Sequence, residues 1–157
     1  MAKNTKDRST LKPATRIATA SRQYAEHGMV NPAVYRASTI TFPDVDTLVN
    51  RRQDYTYGRR GTPTSRAFET AVAELEGGHD CKACPSGLAA ITAALLAFLN
   101  AGDHLLMVDT VYHPAREFCD KVLKRLGVET TYYDPLIGGG IAKLMKANTR
   151  VVYCESP

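Results

Sequence analysis

Two segments of this chain carry residue types and spacings suited to holding an anion. The first is Ser86-Gly87-Leu88-Ala89-Ala90-Ile91. A short apolar strand over 81–85 is predicted to run into the Ser-Gly turn, and the turn to open directly into an apolar helix. That arrangement aims backbone N–H groups and the positive end of a helix dipole at whatever lies in front of them, commonly a phosphate. Ser86 can cap the helix or turn its hydroxyl toward the anion. The second segment, about thirty residues earlier, is Tyr57-Gly58-Arg59-Arg60-Gly61-Thr62-Pro63-Thr64. Arg59 and Arg60 lie in a Gly-flanked loop, where a guanidinium fork can clasp a phosphate through two hydrogen bonds. Tyr57 can add its hydroxyl to the same anion. Each segment also has a plainer reading: a strand-to-helix turn at Gly87, and solvated surface arginines at 59–60. Neither a P-loop nor a G-x-G-x-x-G fingerprint is present, which disfavours nucleotide binding of those classes.

Three further residues fall beyond the carboxyl ends of predicted strands, where α/β proteins bind ligands. Tyr112 follows a strand predicted to end at Asp109. Its ring can stack on a flat ligand for about 0.5–1.5 kcal/mol or simply pack the rim. His113 can titrate near neutral pH, although the sequence shows no partner for it. Glu155, after the last strand, can touch a ligand or orient the turn that follows.

The elements that must position these residues follow from periodicity. Residues 1–54, punctuated by Pro13, Pro32 and Pro43, show little sustained period and read as an extended N-terminal arm with loops. A helix is predicted from about Thr64, on Phe68, Val72 and Leu75, ending at Gly77-Gly78. After the strand at 81–85 comes a buried helix over 87–99. Residues 104–109 form a near-continuous apolar strand, the kind buried on both faces of a parallel sheet. An amphipathic helix over 114–126 is stopped by Gly127, and a strand follows at 129–133. Gly138-Gly139-Gly140 reads as a turn, 141–147 as a short helix and 150–154 as a final interior strand. Strands alternating with helices predict an α/β fold, a mainly parallel sheet with helices on both faces. Residues 55–157 would be the first part of that domain. Its final strand lacks the crossover a parallel strand expects, so the sequence reads as the N-terminal portion of a larger protein.

Composition narrows the class. The 157 residues are 44% hydrophobic and 23% charged, an ordinary globular balance. No run approaches the roughly 18 apolar residues of a membrane span, so no membrane partner is expected. The net charge of +4 resides in the arm, where Lys3, Lys6, Arg8, Lys12, Arg16 and Arg22 face Asp7 alone. The rest is close to neutral, which is not a nucleic-acid footprint. The acid-poor arm fits a transit peptide or, on our preferred reading, a cytoplasmic segment that packs on a neighbouring subunit. Cys81 and Cys84 form a C-x-x-C, but zinc would need two more ligands, and Cys119 and Cys154 are single and distant. The cysteines therefore read as small hydrophobes, three of them in buried strands or on a helix face, in a reducing compartment and with no metal.

Taken in order, Tyr57-Gly58-Arg59, Glu74-Leu75-Glu76-Gly77-Gly78, Ser86-Gly87-Leu88-Ala89-Ala90, Gly102-Asp103-His104, Tyr112 and Glu155-Ser156-Pro157 form a recognisable series. It resembles the fold-type-I pyridoxal-phosphate enzymes of cysteine and methionine metabolism, over residues 24–157. Tyr57-Gly58-Arg59-Arg60-Gly61-Thr62, Asp134-Pro135-Leu136-Ile137-Gly138 and Glu155-Ser156-Pro157 are similar to the family's bacterial β-lyase branch. The resemblance implies pyridoxal 5'-phosphate as cofactor and L-cystathionine as substrate, cleaved to homocysteine, pyruvate and ammonia in methionine synthesis. It also implies a homotetramer of dimers with active sites shared between subunits. Tyr57 and Arg59 match phosphate ligands that reach into the adjacent subunit. Gly87 and Leu88 match backbone N–H donors to the phosphate. Leu88 stands where many relatives have Met, a harmless departure because the contact is through the backbone. Tyr112 matches the ring stacked on the pyridine, and is also the candidate catalytic, proton-handling group. The family's cofactor-anchoring lysine, its pyridine-nitrogen aspartate and its substrate-carboxylate arginine are expected beyond Pro157, which would leave these residues alone inactive. A γ-synthase or γ-lyase of the same family, or a non-catalytic truncated chain, are the alternatives.

Overall fold

The computed structural model describes residues 10–156. Within it the chain divides into two compact units, one ending at Ala83 and the other starting at Cys84. Among the described residues no helix is long and apolar enough to cross a membrane.

The first unit contains α1 (Pro13–Thr19), a 3₁₀ turn (Ala20–Tyr24), α2 (Val45–Asn50) and α3 (Pro63–Glu76). Helix α3 begins where Thr62 and Ser65 cap each other reciprocally and Pro63 occupies the first turn. It ends at Gly77, whose φ of 67° suits a residue without a side chain. The arm is less extended than its sequence predicts. Helix α1 offers only Ile17 as a large apolar residue, so its pattern carries little signal, and tertiary contact decides its structure. Arg16 Nη2 donates to the Glu74 carbonyl at 2.7 Å, and the Tyr24 hydroxyl meets Thr70 Oγ1 at 2.9 Å. These contacts lay the arm on α3. Of the basic cluster, Lys3, Lys6 and Arg8 lie outside the described residues.

The second unit is a three-stranded parallel sheet with helical connections. Its elements are α4 (Gly87–Phe98), β1 (His104–Val108), α5 (His113–Glu117), β2 (Glu129–Tyr133) and β3 (Thr149–Tyr153). The strand order is β2-β1-β3, with Leu106 facing Thr131 on one side and Val152 on the other. All five residues of β1 are buried, and alternate side chains point to opposite faces, so both faces of the central strand are covered. The helix predicted over 114–126 is present, but α5 passes at Phe118 into a π-helical stretch, Phe118–Leu123. The glycine turn and short helix predicted over 138–147 are a single 3₁₀ stretch, Gly138–Leu144, beginning within the glycines. Helix α4 is apolar apart from Thr92, yet Leu95 is buried while Leu96, like Phe98, is exposed, so the buried helix predicted there is only partly covered.

One polar side chain is enclosed at the N-terminal end of the central strand. His104 is fully buried at the start of β1, and its two ring nitrogens meet Thr149 Oγ1 and Thr131 Oγ1, each at 2.8 Å. The imidazole thereby ties β1 to both neighbours and leaves no ring nitrogen unpaired. Burial, with Lys146 nearby, lowers its pKa from the usual histidine value. The neutral ring is therefore favoured in the folded state, and stability is fully present above about pH 6.5 and falls as pH drops below it. In the full-length protein, denaturant unfolding from pH 7.5 to 5 should show this acid loss, and His104→Phe should flatten it. Identical acid limbs in the two proteins would contradict the assignment.

Candidate functional site

The anion-ready loop in the first unit is fixed by a glycine. Tyr57 makes an antiparallel bridge with Thr39, and the Gly58 N–H donates to the Ser38 carbonyl at 2.7 Å. A Cβ at Gly58 would lie 1.8 Å from the Ala37 carbonyl oxygen, so only glycine fits. Gly58–Arg60 then form a 3₁₀ turn, closed by Arg60 N–H to the Tyr57 carbonyl at 2.8 Å. The turn brings two predicted residues together: the Arg59 guanidinium lies 4.9 Å from the centre of the Tyr57 ring. Arg59 is exposed and has no carboxylate partner among the described residues, so its donors remain available to an anion. Arg60 lines a separate cleft of about 250 Å³ with Asp54, Arg66 and Lys82.

Residues 81–85 are not a strand. Two of their backbone donors, at Cys81 and Ala83, go to side-chain carboxylates instead of a neighbouring strand. Asp80 Oδ1 accepts the Cys81 N–H at 2.9 Å, and Glu69 Oε1 accepts the Ala83 N–H at 3.0 Å. Arg66 bridges Glu69 and Asp80 at 3.1 and 3.0 Å, and Lys82 sits 3.2 Å from Asp80. The Cys81 N–H, with Lys82 and Arg66 adding to it, holds the Asp80 carboxyl down at about 2. Glu69 is the residue that sequence reasoning missed here. Its only sequence signal is the i, i+3 spacing from Arg66, which every helix surface offers.

In the second unit the predicted helix start is where the sequence puts it. Ser86 is the N-cap of α4, and its Oγ accepts the Ala89 N–H at 3.1 Å. The Gly87 and Leu88 N–H groups take no partner among the described residues, as the first turn of a helix requires. A Cβ at Gly87 would meet nothing within 4 Å, so the space before the helix is open. Two free backbone donors on a twelve-residue helix match the acceptor oxygens of a phosphate monoester. The Arg59 guanidinium of the first unit offers the same chemistry.

At the carboxyl end of β1, Tyr112 is 53% exposed, and its N–H donates to Glu155 Oε2 at 3.4 Å. The same carboxylate oxygen accepts the Tyr153 hydroxyl at 3.4 Å. Glu155 thus orients the backbone beneath Tyr112. His113 is exposed at the start of α5. Where three buried cysteines were expected, only Cys119 is buried; Cys81 is half-buried, and Cys84 and Cys154 are exposed. Cys119 is buried, and burial pushes its thiol up to about 11, which makes it inert.

A parallel sheet with open helix N–H donors at the start of α4 and an aromatic at its carboxyl edge is the layout of an α/β protein. The chain belongs to the Cys/Met metabolism PLP-dependent enzyme family, whose model matches residues 14–157. It is 44% identical to cystathionine beta-lyase MetC of Escherichia coli over 135 residues, covering 83% of this chain and 34% of that protein. It is 43% identical to the cystathionine beta-lyase of Salmonella typhimurium over 135 residues, with the same coverage. Against the cystathionine gamma-lyase of Bacillus subtilis the identity is 38% over 130 residues, covering 83% of this chain and 33% of that protein. Among solved structures, cystathionine gamma-lyase from Lactobacillus plantarum, complexed with L-serine, superposes with a TM-score of 0.82 at 28% identity, covering 91% of this chain and 36% of that one. The metB protein of Corynebacterium glutamicum gives 0.80 at 30% identity, covering 93% and 39%. The fold is accordingly that of the fold-type-I pyridoxal-phosphate enzymes. The chain spans about a third of the length of the curated relatives it matches.

The tight approach at Gly58 generates a direct test. Gly58→Ala in the full-length protein should displace the Tyr57–Arg59 turn and cost stability at the upper end of the about 1–3 kcal/mol typical of overpacking. Urea unfolding would measure it, and an unchanged midpoint would show that the Ala37 carbonyl yields freely.

Proposed function

We propose that the full-length protein is a pyridoxal-phosphate-dependent carbon–sulfur β-lyase that cleaves L-cystathionine to homocysteine, pyruvate and ammonia, for methionine synthesis in the cytoplasm. The observation that carries the cofactor assignment is the set of uncommitted donors: the Gly87 and Leu88 N–H groups and the Arg59 guanidinium. In this reading Gly87 and Leu88 hold the cofactor phosphate from within the subunit. Tyr57 and Arg59 reach the phosphate of an adjacent subunit, as a homotetramer of dimers with shared sites would require. Tyr112 stacks its ring on the pyridine and holds or passes a proton at its phenolic oxygen. The bound cofactor supplies an electron sink for the negative charge that develops at the substrate Cα. The β-lyase assignment is supported by identities of 43–44% to the cystathionine beta-lyases of Escherichia coli and Salmonella typhimurium, against 38% to the cystathionine gamma-lyase of Bacillus subtilis. A γ-acting enzyme of the same family is the second reading, favoured by the gamma-lyase structure at TM-score 0.82.

Product analysis separates the two. L-cystathionine given to the full-length enzyme should yield pyruvate and homocysteine by β-cleavage, whereas 2-oxobutyrate and cysteine would assign γ-cleavage. The phosphate site is tested by Arg59→Ala. Loss of a charged donor costs about 1.5–3 kcal/mol, so equilibrium dialysis should show cofactor affinity roughly tenfold to a hundredfold weaker. Unchanged affinity would remove Arg59 from the site.

A further inference from the structure

Tyr112 has no side-chain hydrogen bond among those the structure describes, and half of its surface is exposed, so its ring is placed by its backbone alone. The Tyr112 carbonyl accepts the Ala115 N–H at 2.9 Å, and Arg116 holds the loop that carries it at two points. The Arg116 N–H donates to the Tyr112 carbonyl at 3.3 Å, a contact any helix start would make. The Arg116 side chain then reaches back past the loop. Its Nη2 donates to both the carbonyl and the Oδ1 of Asp109, each at 2.6 Å. Asp109 is the first residue beyond β1, itself docked by its N–H to the Tyr133 carbonyl at 2.8 Å. The span from Asp109 to Tyr112 is therefore closed at both ends by Arg116.

The guanidinium is not free to wander. Its Cζ lies 3.8 Å above the centre of the Tyr132 ring on β2, and the Tyr132 hydroxyl donates to Asp120 at 2.7 Å. The Arg116 side chain is only 28% exposed. A lysine could supply charge here but neither the planar stack on Tyr132 nor the directed fork. Glu155, accepting the Tyr112 N–H, completes the hold from the β3 side.

We propose that Arg116 is the positioning residue for Tyr112, fixing the ring's height over the carboxyl edge of the sheet through Asp109 and the face of Tyr132. The proposal rests on the reading of Tyr112 as the ring that meets the cofactor. It adds a residue that touches neither substrate nor cofactor.

The test uses the full-length holoenzyme and two readouts. Hydrogen exchange of the peptide carrying residues 109–113 should be about tenfold faster in Arg116→Met, because the span is released from one end. It should be intermediate in Arg116→Lys and unchanged in Asp109→Asn, which keeps both acceptors. The visible circular dichroism band of the bound cofactor should weaken in Arg116→Met as it does in Tyr112→Ala, and the double variant should weaken it no further. Native exchange and a native band in Arg116→Met would overturn the proposal. If Arg116→Met fails to fold, Arg116→Lys decides, since native exchange in that variant would equally overturn it. A band indifferent to Tyr112→Ala would overturn the reading of Tyr112, while faster exchange in Arg116→Met would still sustain the grip on the loop.

Discussion

Everything in the second unit depends on the complete burial of β1. A strand reading His-Leu-Leu-Met-Val has no face fit for water, so it must lie between two strands and beneath cover on both sides. Its backbone polar groups can then be satisfied only by parallel partners, and β2 and β3 supply them. The one polar intruder, His104, would be intolerable alone. It is tolerated because Thr131 and Thr149 meet its two nitrogens. Those threonines fix the lateral placement of both neighbours at one end of the sheet.

From that arrangement the carboxyl edge follows. Strands β1 and β3 end side by side, so Tyr112 after one and Glu155 after the other come within hydrogen-bonding reach. The rest of the site chemistry uses backbone geometry more than side chains. Gly87 and Leu88 offer donors because they open a helix, and Ser86 satisfies the third N–H in line without occupying those two. Gly58 sets the Tyr57–Arg59 pair by a contact that no other residue would survive. Side-chain charge enters at the supports: Glu69 and Asp80 under residues 81–83, and Arg116 under Tyr112.

What was legible in the sequence was whatever has a local cause. The apolar run of β1, the start of α3 at Pro63-Thr64, its stop at Gly77 and the Ser86 cap all follow from neighbouring residues, and each stands within a residue of its expected place. The turns at Gly58–Arg60 and Ser86–Gly87 were legible for the same reason. What escaped was set by distant partners. Helix α1 exists through Arg16 and Tyr24 contacting α3, about fifty residues away. Residues 81–85 have strand-like composition, but the Cys81 and Ala83 N–H groups go to Asp80 and Glu69. The π-helical stretch at Phe118–Leu123 leaves no periodic trace that distinguishes it from α-helix. Arg116 reads as an ordinary helix-surface cation until Asp109 and Tyr132 are seen beside it.

The central claim is the proposal that uncommitted backbone donors at the start of α4 and the Arg59 guanidinium of an adjacent subunit hold the cofactor phosphate. Phosphorus-31 NMR of the cofactor bound to the full-length protein tests this most directly. A phosphate monoester free in water takes up a proton with a pKa of about 6, whereas fixed N–H donors and a guanidinium hold it doubly ionised. The account predicts a single phosphorus resonance whose position does not change between about pH 5.5 and 8. A resonance that titrates near pH 6, as it does for the free cofactor, would contradict it.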